Sequence, residues 1–237
     1  EEMGVGKFNE FCRSKVLFFA NEWKKTVRRM GKWIEFDNAY KTMDQPYMET
    51  VWNLFKTFYE KDYIYEDKKI LMYCPRCETP LSKAEIEMDA GNYKDVTEKT
   101  ITAKFKLKGE KDTYVLAWTT TPWTLIGNVA LAVNPKITYA KIKKDNDYLI
   151  LAKAKLKDYA NEPVIKEYSG KELVGKEYEP LYKLADKKAY MVIDGGENVT
   201  AEDGTGVVHL ALYREFDFDM IKKYDLFRVQ HVGNNGK

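Results

Sequence analysis

The sequence predicts an α+β protein in which a helical N-terminal arm is joined to a mostly β domain. Three observations support this fold class. Apolar residues recur at helical spacing from Lys7 to about Glu60. Beyond residue 100, short runs of alternating apolar and polar residues are separated by Gly, Asn, Asp and Pro. A chain of 237 residues that is 44% hydrophobic and 32% charged is long and apolar enough to bury a core.

Two helices are predicted in the N-terminal arm, which we place at residues 1–62. In the first, apolar side chains from Phe8 to Met30 share one face, and Gly31 is a suitable C-terminal stop. The second runs from Asp44, as the N-cap, to Glu60, with Pro46 in its first turn. Its buried face is expected to consist of Tyr47, Val51, Trp52, Leu54, Phe55 and Phe58.

The rest of the chain is predicted to be mainly β-strand. We divide it into a connector with half of a zinc-ribbon-like knuckle, residues 63–98, and a β-rich domain, residues 99–237. Two helices are expected within the β-rich domain, at Lys153–Tyr159 and Glu215–Tyr224. The predicted strands are at Ile64, Ile70–Tyr73, Ile101–Lys108, Tyr114–Trp118, Val129–Val133, Ala140–Lys143, Tyr148–Ala152, Ala189–Ile193 and Val207–Leu212.

Charge and composition exclude several classes of function. The 39 basic and 37 acidic side chains leave a net charge of +2, so the chain as a whole is not expected to attract nucleic acid, although a local basic patch is compatible with this balance. Two histidines are too few for a metal centre built from several imidazoles. Three cysteines favour a reducing compartment, and we expect a cytoplasmic location. No apolar run approaches the length of a membrane span, and no membrane partner is expected.

Cys74 and Cys77 form a CPRC segment with the spacing of half a tetrahedral zinc site. No second Cys-x-x-Cys pair follows it, and Cys12 stands alone in the sequence. Two reduced thiols in a turn are therefore the favoured interpretation, and no metal is expected in this chain. The alternative is a zinc site completed by two further cysteines of a longer protein.

Three further segments are ambiguous when each is taken alone. The WTTTPWT segment at residues 118–124 is explained by a strand edge that Pro122 ends, but its four hydroxyls also suit a polar ligand. The GTGVVH segment at residues 204–209 is a weak phosphate-loop signal, and its histidine is most simply structural. The acidic residues from Glu215 to Asp219 are favourable at the start of a helix.

Taken together, these segments resemble the editing (CP1) domain of isoleucyl-tRNA synthetases. The main likeness is the WTTTPWT segment followed, about 85 residues later, by GTGVVHLA. Within that resemblance, His209 favours the isoleucyl branch over the valyl and leucyl branches. Segments of the HIGH and KMSKS types do not occur, so the aminoacylating site is absent from this chain. Further matching segments are at residues 31–37, 40–44, 47–52 and 73–77.

The resemblance implies a mostly antiparallel, β-barrel-like editing domain with peripheral helices. It implies an aminoacyl-tRNA ester hydrolase that removes valine from mischarged tRNA(Ile), with valyl-adenylate as a second substrate. The partners would be the 3′ end of the mischarged tRNA and the remainder of the synthetase. No cofactor is implied for editing, and zinc is implied only for the full-length protein. The alternatives are a tRNA- or aminoacyl-binding module without hydrolysis, the editing domain of a valyl-tRNA synthetase, and a structural zinc-ribbon module.

The resemblance also assigns roles to residues. Counted without gaps from His209, the acidic residue of the family falls on Phe218, and one deletion in the loop places it at Asp217, which would anchor the α-ammonium group of the substrate. Asp219 is the other candidate for this anchor. His209, with Trp123 nearby, would form a wall that admits valine and excludes isoleucine. The implied catalytic residues are Asp217, Thr119, Thr120 and His209, and the implied substrate-binding residues are Thr121, Trp123, Thr124, Asn128 and Asp219. The sequence departs from the family by Ile126, Leu212 and Arg214, where Pro, Pro and Gly are usual.

Overall fold

The computed structural model describes residues 3–88, 91–184 and 188–237. The chain divides into two compact units, Glu1–Asp67 and Lys68–Lys237. The mixed α+β composition is confirmed, with helices in both units and all of the described strands in the second. The finer division at residues 1–62, 63–98 and 99–237 stays a prediction.

The first unit contains the two predicted helices, α1 (Val5–Arg29) and α2 (Gln45–Glu60). Gly31 follows α1 with a φ of 76°, a conformation that glycine adopts without steric cost. Pro46 lies in the first turn of α2, where its missing N–H leaves no hydrogen bond unmade. Asp44 precedes α2 as expected, but its side chain makes no capping hydrogen bond. No described helix combines the length and the apolarity that crossing a membrane requires.

The apolar face of α2 is exposed, and the prediction that it is buried is wrong for this chain. None of the α2 residues is buried, and Trp52 and Phe55 are 67% and 58% exposed. In α1, Phe11 and Trp23 are also exposed. Helical spacing shows which residues share a face, but burial also requires a covering surface. The described residues do not supply one for these helices.

The described strands of the second unit form three sheets, and none of these sheets closes into a barrel, so the barrel-like prediction is not confirmed. One sheet is the hairpin β1–β2. A five-stranded sheet has the order β3-β4-β7-β6-β8, and a three-stranded sheet has the order β10-β5-β9. All neighbouring pairs are antiparallel except β4–β7 and β5–β9. The strands are β1 (Tyr73–Cys74), β2 (Thr79–Pro80), β3 (Ile101–Lys106), β4 (Thr113–Thr119), β5 (Ala130–Val133), β6 (Thr138–Lys144), β7 (Asp147–Ala152), β8 (Val164–Ser169), β9 (Met191–Asp194) and β10 (Val208–Leu210).

Strand β5 separates the two main apolar clusters of this unit. Leu131 and Val133 belong to the larger cluster, which includes residues of the five-stranded sheet. Ala130 and Ala132 belong to a second cluster, which includes Ile221 of helix α5 (Glu215–Lys223). Successive side chains of a strand point to opposite faces, so β5 contributes to both clusters. The three-stranded sheet is thereby held between the larger sheet and α5.

Several elements differ from the prediction. Lys153–Tyr159 forms a 3₁₀ helix, and a second 3₁₀ helix, Pro122–Gly127, follows β4. The structure shows no strand at Ile64, and only Tyr73 of the predicted strand Ile70–Tyr73 lies in one. The pattern analysis missed strand β8 and two short helices, α3 (Lys83–Glu87) and α4 (Gly170–Leu173).

Candidate functional site

A cavity of about 350 Å³ lies in the second unit, where the end of β4, the loop before β10 and the start of α5 meet. Most of the residues predicted for the site line this cavity. They are Thr119, Thr120, Thr121, Trp123, Thr124, His209 and Asp217.

The threonines line the cavity because β4 stops at Thr119 and the chain turns into a 3₁₀ helix that starts at Pro122. Proline has no N–H to continue the ladder, so the strand ends there. The Thr121 N–H donates to the Thr119 hydroxyl at 3.0 Å, and the Thr124 hydroxyl donates to the Thr121 carbonyl at 2.7 Å. The turn is therefore held by its own hydroxyl groups.

His209 joins this hydroxyl network from β10. Its Nε2 lies 3.2 Å from the Thr124 hydroxyl and 3.3 Å from the Thr119 hydroxyl. Burial, and to a smaller extent the positive charge of Arg214, lowers the pKa of His209 to about 4. The imidazole is therefore neutral at pH 7. Its Nδ1 is buried and has no hydrogen-bond partner among the described residues.

Asp217 lies in the first turn of α5, and only 5% of the residue is exposed. Burial raises the pKa of Asp217 to about 6, although Arg214 and the Ala211 N–H act in the opposite direction. The Ala211 N–H donates to Oδ2 at 3.3 Å. Nη2 of the exposed Arg214 lies 3.2 Å from Oδ1 as an ion pair, and Oδ1 has no hydrogen bond within the described part of the chain. The cavity thus contains a buried carboxylate that is mostly ionised at pH 7.

The Gly204–Gly206 loop is bound to the five-stranded sheet. The Thr205 hydroxyl donates to the Leu116 carbonyl at 2.6 Å, and the Tyr139 hydroxyl donates to the Gly206 carbonyl at 2.8 Å. Gly206 has a φ of 73°, and a Cβ there would lie 2.4 Å from that of Ala152. These contacts explain Gly206 structurally, and the loop needs no bound phosphate to account for it.

Two of the predicted site residues do not line the cavity. Asn128 is buried and donates to the Ala130 carbonyl at 3.0 Å, while its Oδ1 accepts from the Tyr178 hydroxyl at 2.6 Å. Asp219 is exposed, because two helical residues further on α5 turns its side chain away from that of Asp217. Of the two aspartates, only Asp217 belongs to the cavity.

Residues that the sequence analysis did not assign also line the cavity, chiefly Tyr213 and Arg214. The Tyr213 hydroxyl accepts from the backbone N–H groups of His231 and Val232 at 2.9 and 3.0 Å. The Tyr213 and Trp123 rings are 5.1 Å apart at the edge of the cavity. Arg214 is visible in the sequence as a departure from the family pattern, but no local signal connects His231 to Tyr213.

The CPRC thiols lie at the β1–β2 hairpin. Hydrogen bonds from the backbone and side chain of Cys77 lower the pKa of Cys74, which favours its thiolate form. Two thiols supply half of a tetrahedral zinc site. No cluster of three or more His, Cys, Asp or Glu side chains that could hold a metal occurs within residues 3–88, 91–184 and 188–237.

The family model "tRNA synthetases class I (I, L, M and V)" matches residues 1–215. The chain belongs to this family. Over its whole length, this class I synthetase segment is 45% identical to the isoleucine–tRNA ligase of Clostridium acetobutylicum and 46% identical to that of Clostridium novyi. It is 39% identical to the isoleucine–tRNA ligase of Protochlamydia amoebophila. It spans only 23 to 24% of the length of these relatives.

Solved structures of leucyl-tRNA synthetase editing domains overlap part of the segment. The editing domain of the P. knowlesi cytosolic enzyme covers 53% of this chain and 62% of its own, with a TM-score of 0.44 and 14% identity. That of the P. falciparum cytosolic enzyme covers 48% of each chain, with a TM-score of 0.41 and 16% identity. At these values we infer neither fold nor function from the overlap.

Proposed function

We propose that the second unit of this synthetase segment hydrolyses the ester bond of a mischarged tRNA, with Val-tRNA(Ile) as its substrate. The observation that carries the proposal is the buried carboxylate of Asp217. Its Oδ1 makes no hydrogen bond to the described residues and is ion-paired only with the exposed Arg214. Asp217 lines the same cavity as five threonines and His209. The identity of 39 to 46% with isoleucine–tRNA ligases supports the choice of tRNA and amino acid.

In the proposed complex, Asp217 binds the α-ammonium group of the esterified amino acid. A charge-assisted hydrogen bond to a buried carboxylate is stronger than one between neutral groups. Ionisation is needed for this role, and a pKa of about 6 leaves most of the carboxyl group ionised at pH 7. Binding of the ammonium group should therefore weaken as the pH falls through 6.

The neutral His209 ring and Trp123 are proposed to form the wall that excludes isoleucine. One methylene group changes binding in an apolar pocket by only about 1–3 kcal/mol, so an enzyme that must separate valine from isoleucine gains from a second selection step. Hydrogen bonds between His209 Nε2 and the hydroxyls of Thr119 and Thr124 would fix the ring in place. A fixed ring can exclude the larger side chain by steric overlap.

Hydrolysis needs a positioned water rather than a protein nucleophile. The water oxygen attacks the ester carbonyl carbon, the bond from that carbon to the ribose oxygen breaks, and the ribose oxygen takes up a proton. The adjacent ribose hydroxyl can assist the leaving oxygen, and the threonine hydroxyls can orient the water. A pKa of about 4 makes His209 a weak general base at pH 7, so we assign it to the wall and not to proton transfer.

A second candidate is a binding module without hydrolytic activity. The observation in its favour is the ion pair between Arg214 and Asp217 Oδ1, because the guanidinium occupies the side of the carboxylate that an ammonium group would use. Arg214 also stands where the family usually has glycine. A third candidate, the editing domain of a valyl-tRNA synthetase, would act on mischarged tRNA(Val) instead.

The test compares deacylation of Val-tRNA(Ile) and Ile-tRNA(Ile) by the wild-type chain and by His209→Ala. The wild type should remove valine and spare isoleucine, and His209→Ala should raise the rate for isoleucine relative to valine. An unchanged ratio would contradict the steric wall. Wild-type chain that binds Val-tRNA(Ile) without deacylating it would contradict the hydrolytic function and favour the binding module.

A further inference from the structure

Trp123 is part of the proposed wall, although half of the residue is exposed at the edge of the cavity. An exposed side chain keeps its rotamer freedom unless its neighbours restrict it. A wall at this position therefore needs a support. The neighbour that can supply it is His231, whose ring lies 6.3 Å from that of Trp123 and which the proposed reaction does not use.

His231 joins the two segments that carry the aromatic rings of the cavity. Its Nε2 lies 3.1 Å from the Trp123 carbonyl oxygen, and its Nδ1 lies 3.0 Å from the Tyr213 hydroxyl oxygen. The Tyr213 ring lies 5.1 Å from the Trp123 ring and meets the His231 ring edge-on at 5.1 Å. The imidazole thus connects the 3₁₀ helix after β4 with the loop before α5.

The partners of His231 fix which of its nitrogens carries the proton. A carbonyl oxygen can only accept, so Nε2 must donate to Trp123. The Tyr213 hydroxyl oxygen accepts from the backbone N–H groups of His231 and Val232, which leaves its own hydrogen for Nδ1. Both ring nitrogens and the hydroxyl group are therefore paired, and the neutral imidazole with its proton on Nε2 is the form that fits.

Gly127 leaves the space that the His231 ring occupies. A Cβ at this position would lie 2.8 Å from Nδ1 and 3.0 Å from Cε1 of His231. Contacts this short would force the ring to move, and its movement would disturb the hydrogen bonds with Trp123 and Tyr213. The 3₁₀ helix therefore contributes to the placement of the ring both by a carbonyl group and by a missing side chain.

We propose that His231 is a positioning residue, which holds Trp123 through its Nε2 hydrogen bond and so sets the selectivity of the cavity for valine over isoleucine. The proposal rests on the proposed function, because it takes Trp123 as part of the wall, and it adds a residue that does not itself line the cavity. In an apolar pocket, one methylene group changes selectivity by about 10- to 200-fold. A wall can exclude that group only if it does not yield, so loss of the support should reduce selectivity.

The test compares His231→Asn with His231→Gln in deacylation of Val-tRNA(Ile) and Ile-tRNA(Ile). The asparagine amide reaches about as far as Nδ1 and keeps only the contact with Tyr213, whereas the glutamine amide reaches about as far as Nε2 and can donate to the Trp123 carbonyl. His231→Asn should lower the ratio of the valine rate to the isoleucine rate at least about fivefold, and His231→Gln should keep the wild-type ratio.

The matched control is Gln230→Ala, which removes the exposed side chain beside His231 and should leave the ratio unchanged. An unchanged ratio in His231→Asn would overturn the proposal. Equal losses in His231→Asn and His231→Gln would also overturn it, because the Nε2 hydrogen bond would then not be what holds Trp123.

Gly127→Ala provides a second test, which does not depend on the folding of His231→Asn. It keeps the imidazole and places a Cβ against it, so the ratio should fall as it does in His231→Asn. In a His231→Gln background the same change should have a smaller effect, since a flexible glutamine can move aside. Equal effects in the two backgrounds would contradict the role of His231.

The mobility of Trp123 in the free chain separates this proposal from the proposed function. The heteronuclear ¹⁵N NOE of its indole N–H, assigned with Trp123→Phe, reports motion on the ps–ns timescale and needs no substrate. The NOE should fall in His231→Asn and stay near the wild-type value in His231→Gln. That result in a chain that does not deacylate Val-tRNA(Ile) would support the hold of His231 on Trp123 and count against the proposed function. An NOE that is the same in His231→Asn as in the wild type would overturn the positioning role, and selective deacylation by that wild type would leave the proposed function standing.

Discussion

Replacing Asp217 by asparagine should change how the free energy of unfolding depends on pH. A carboxyl group whose pKa is raised in the folded state destabilises the fold when it ionises. The stabilisation by its protonated form is complete below the ordinary value of 3.8 and is lost as the pH rises through about 6. Asparagine has nearly the same shape and carries no charge, so it is free of this penalty at every pH.

The magnitude follows from the two pKa values of Asp217, 3.8 and about 6. A difference of about 2 pH units, at about 1.4 kcal/mol per unit, corresponds to about 3 kcal/mol. The free energy of unfolding of Asp217→Asn minus that of the wild type should therefore be about 3 kcal/mol larger at pH 7 than below pH 4. Effects of the substitution that do not depend on pH cancel in this comparison.

The wild-type profile alone cannot show this effect, because His209 acts in the opposite direction. Its pKa is lowered from 6.5 to about 4, so the stabilisation that it contributes is present above 6.5 and is lost as the pH falls through 4. The two effects offset each other between about pH 4 and 6. The variant separates them.

The assay is urea unfolding followed by tryptophan fluorescence, repeated from pH 3 to pH 7.5. Asp219→Asn is the matched control, since it removes an exposed carboxylate from the same helix. The pH-dependent part of its effect should be much smaller. If the stability difference between Asp217→Asn and the wild type did not change with pH, the raised pKa and the buried ionised carboxylate would both be refuted.

Three further predictions concern the CPRC thiols, the glycine loop and Asn128. The 237-residue chain should retain no stoichiometric zinc in elemental analysis after dialysis, because the CPRC thiols supply two of four ligands; one tightly held zinc per chain would contradict this. Gly206→Ala should lower the free energy of unfolding by about 2–4 kcal/mol, because both its φ and the contact with Ala152 are unfavourable to a Cβ. Gly175 has a φ of 88° and open space around it, so Gly175→Ala should lower the free energy of unfolding by only about 1–2 kcal/mol. An equal loss at both glycines would disprove the clash between Cβ of residue 206 and Ala152. Tyr178→Phe should lower the free energy of unfolding by about 1–3 kcal/mol, because it leaves Asn128 Oδ1 without its hydrogen bond, and it should not change the deacylation rate. A slower rate at unchanged stability would indicate that Asn128 acts in the site.

Periodicity predicted the elements whose burial follows a simple pattern. Strand β4 alternates buried and exposed positions in part and packs in the larger apolar cluster, and α1 and α2 lie where the helical spacing places them. Strand β8 was missed, because most of its residues are exposed and apolar spacing carries no signal there. The burial of the α2 face was predicted wrongly, since spacing contains no information about the covering partner.

The candidate site was predictable where short motifs bring their own residues together. The turn between the end of β4 and the 3₁₀ helix at Pro122 holds the threonines together, and the pairing of β10 with β5 places His209 beside them. The sequence could not decide between Asp217 and Asp219, because the choice depends on where α5 begins. Contacts over long sequence separations, such as that between His231 and Tyr213, leave no mark in either local segment.

Deacylation of Val-tRNA(Ile) by Asp217→Ala tests the central claim most directly, with Asp219→Ala as its control. Asp217 is proposed to bind the substrate ammonium group in the cavity, whereas Asp219 is exposed on the same helix. The account predicts that Asp217→Ala folds as the wild type does and loses deacylation, while Asp219→Ala keeps the wild-type rate. A wild-type rate in Asp217→Ala, together with a loss in Asp219→Ala, would contradict it.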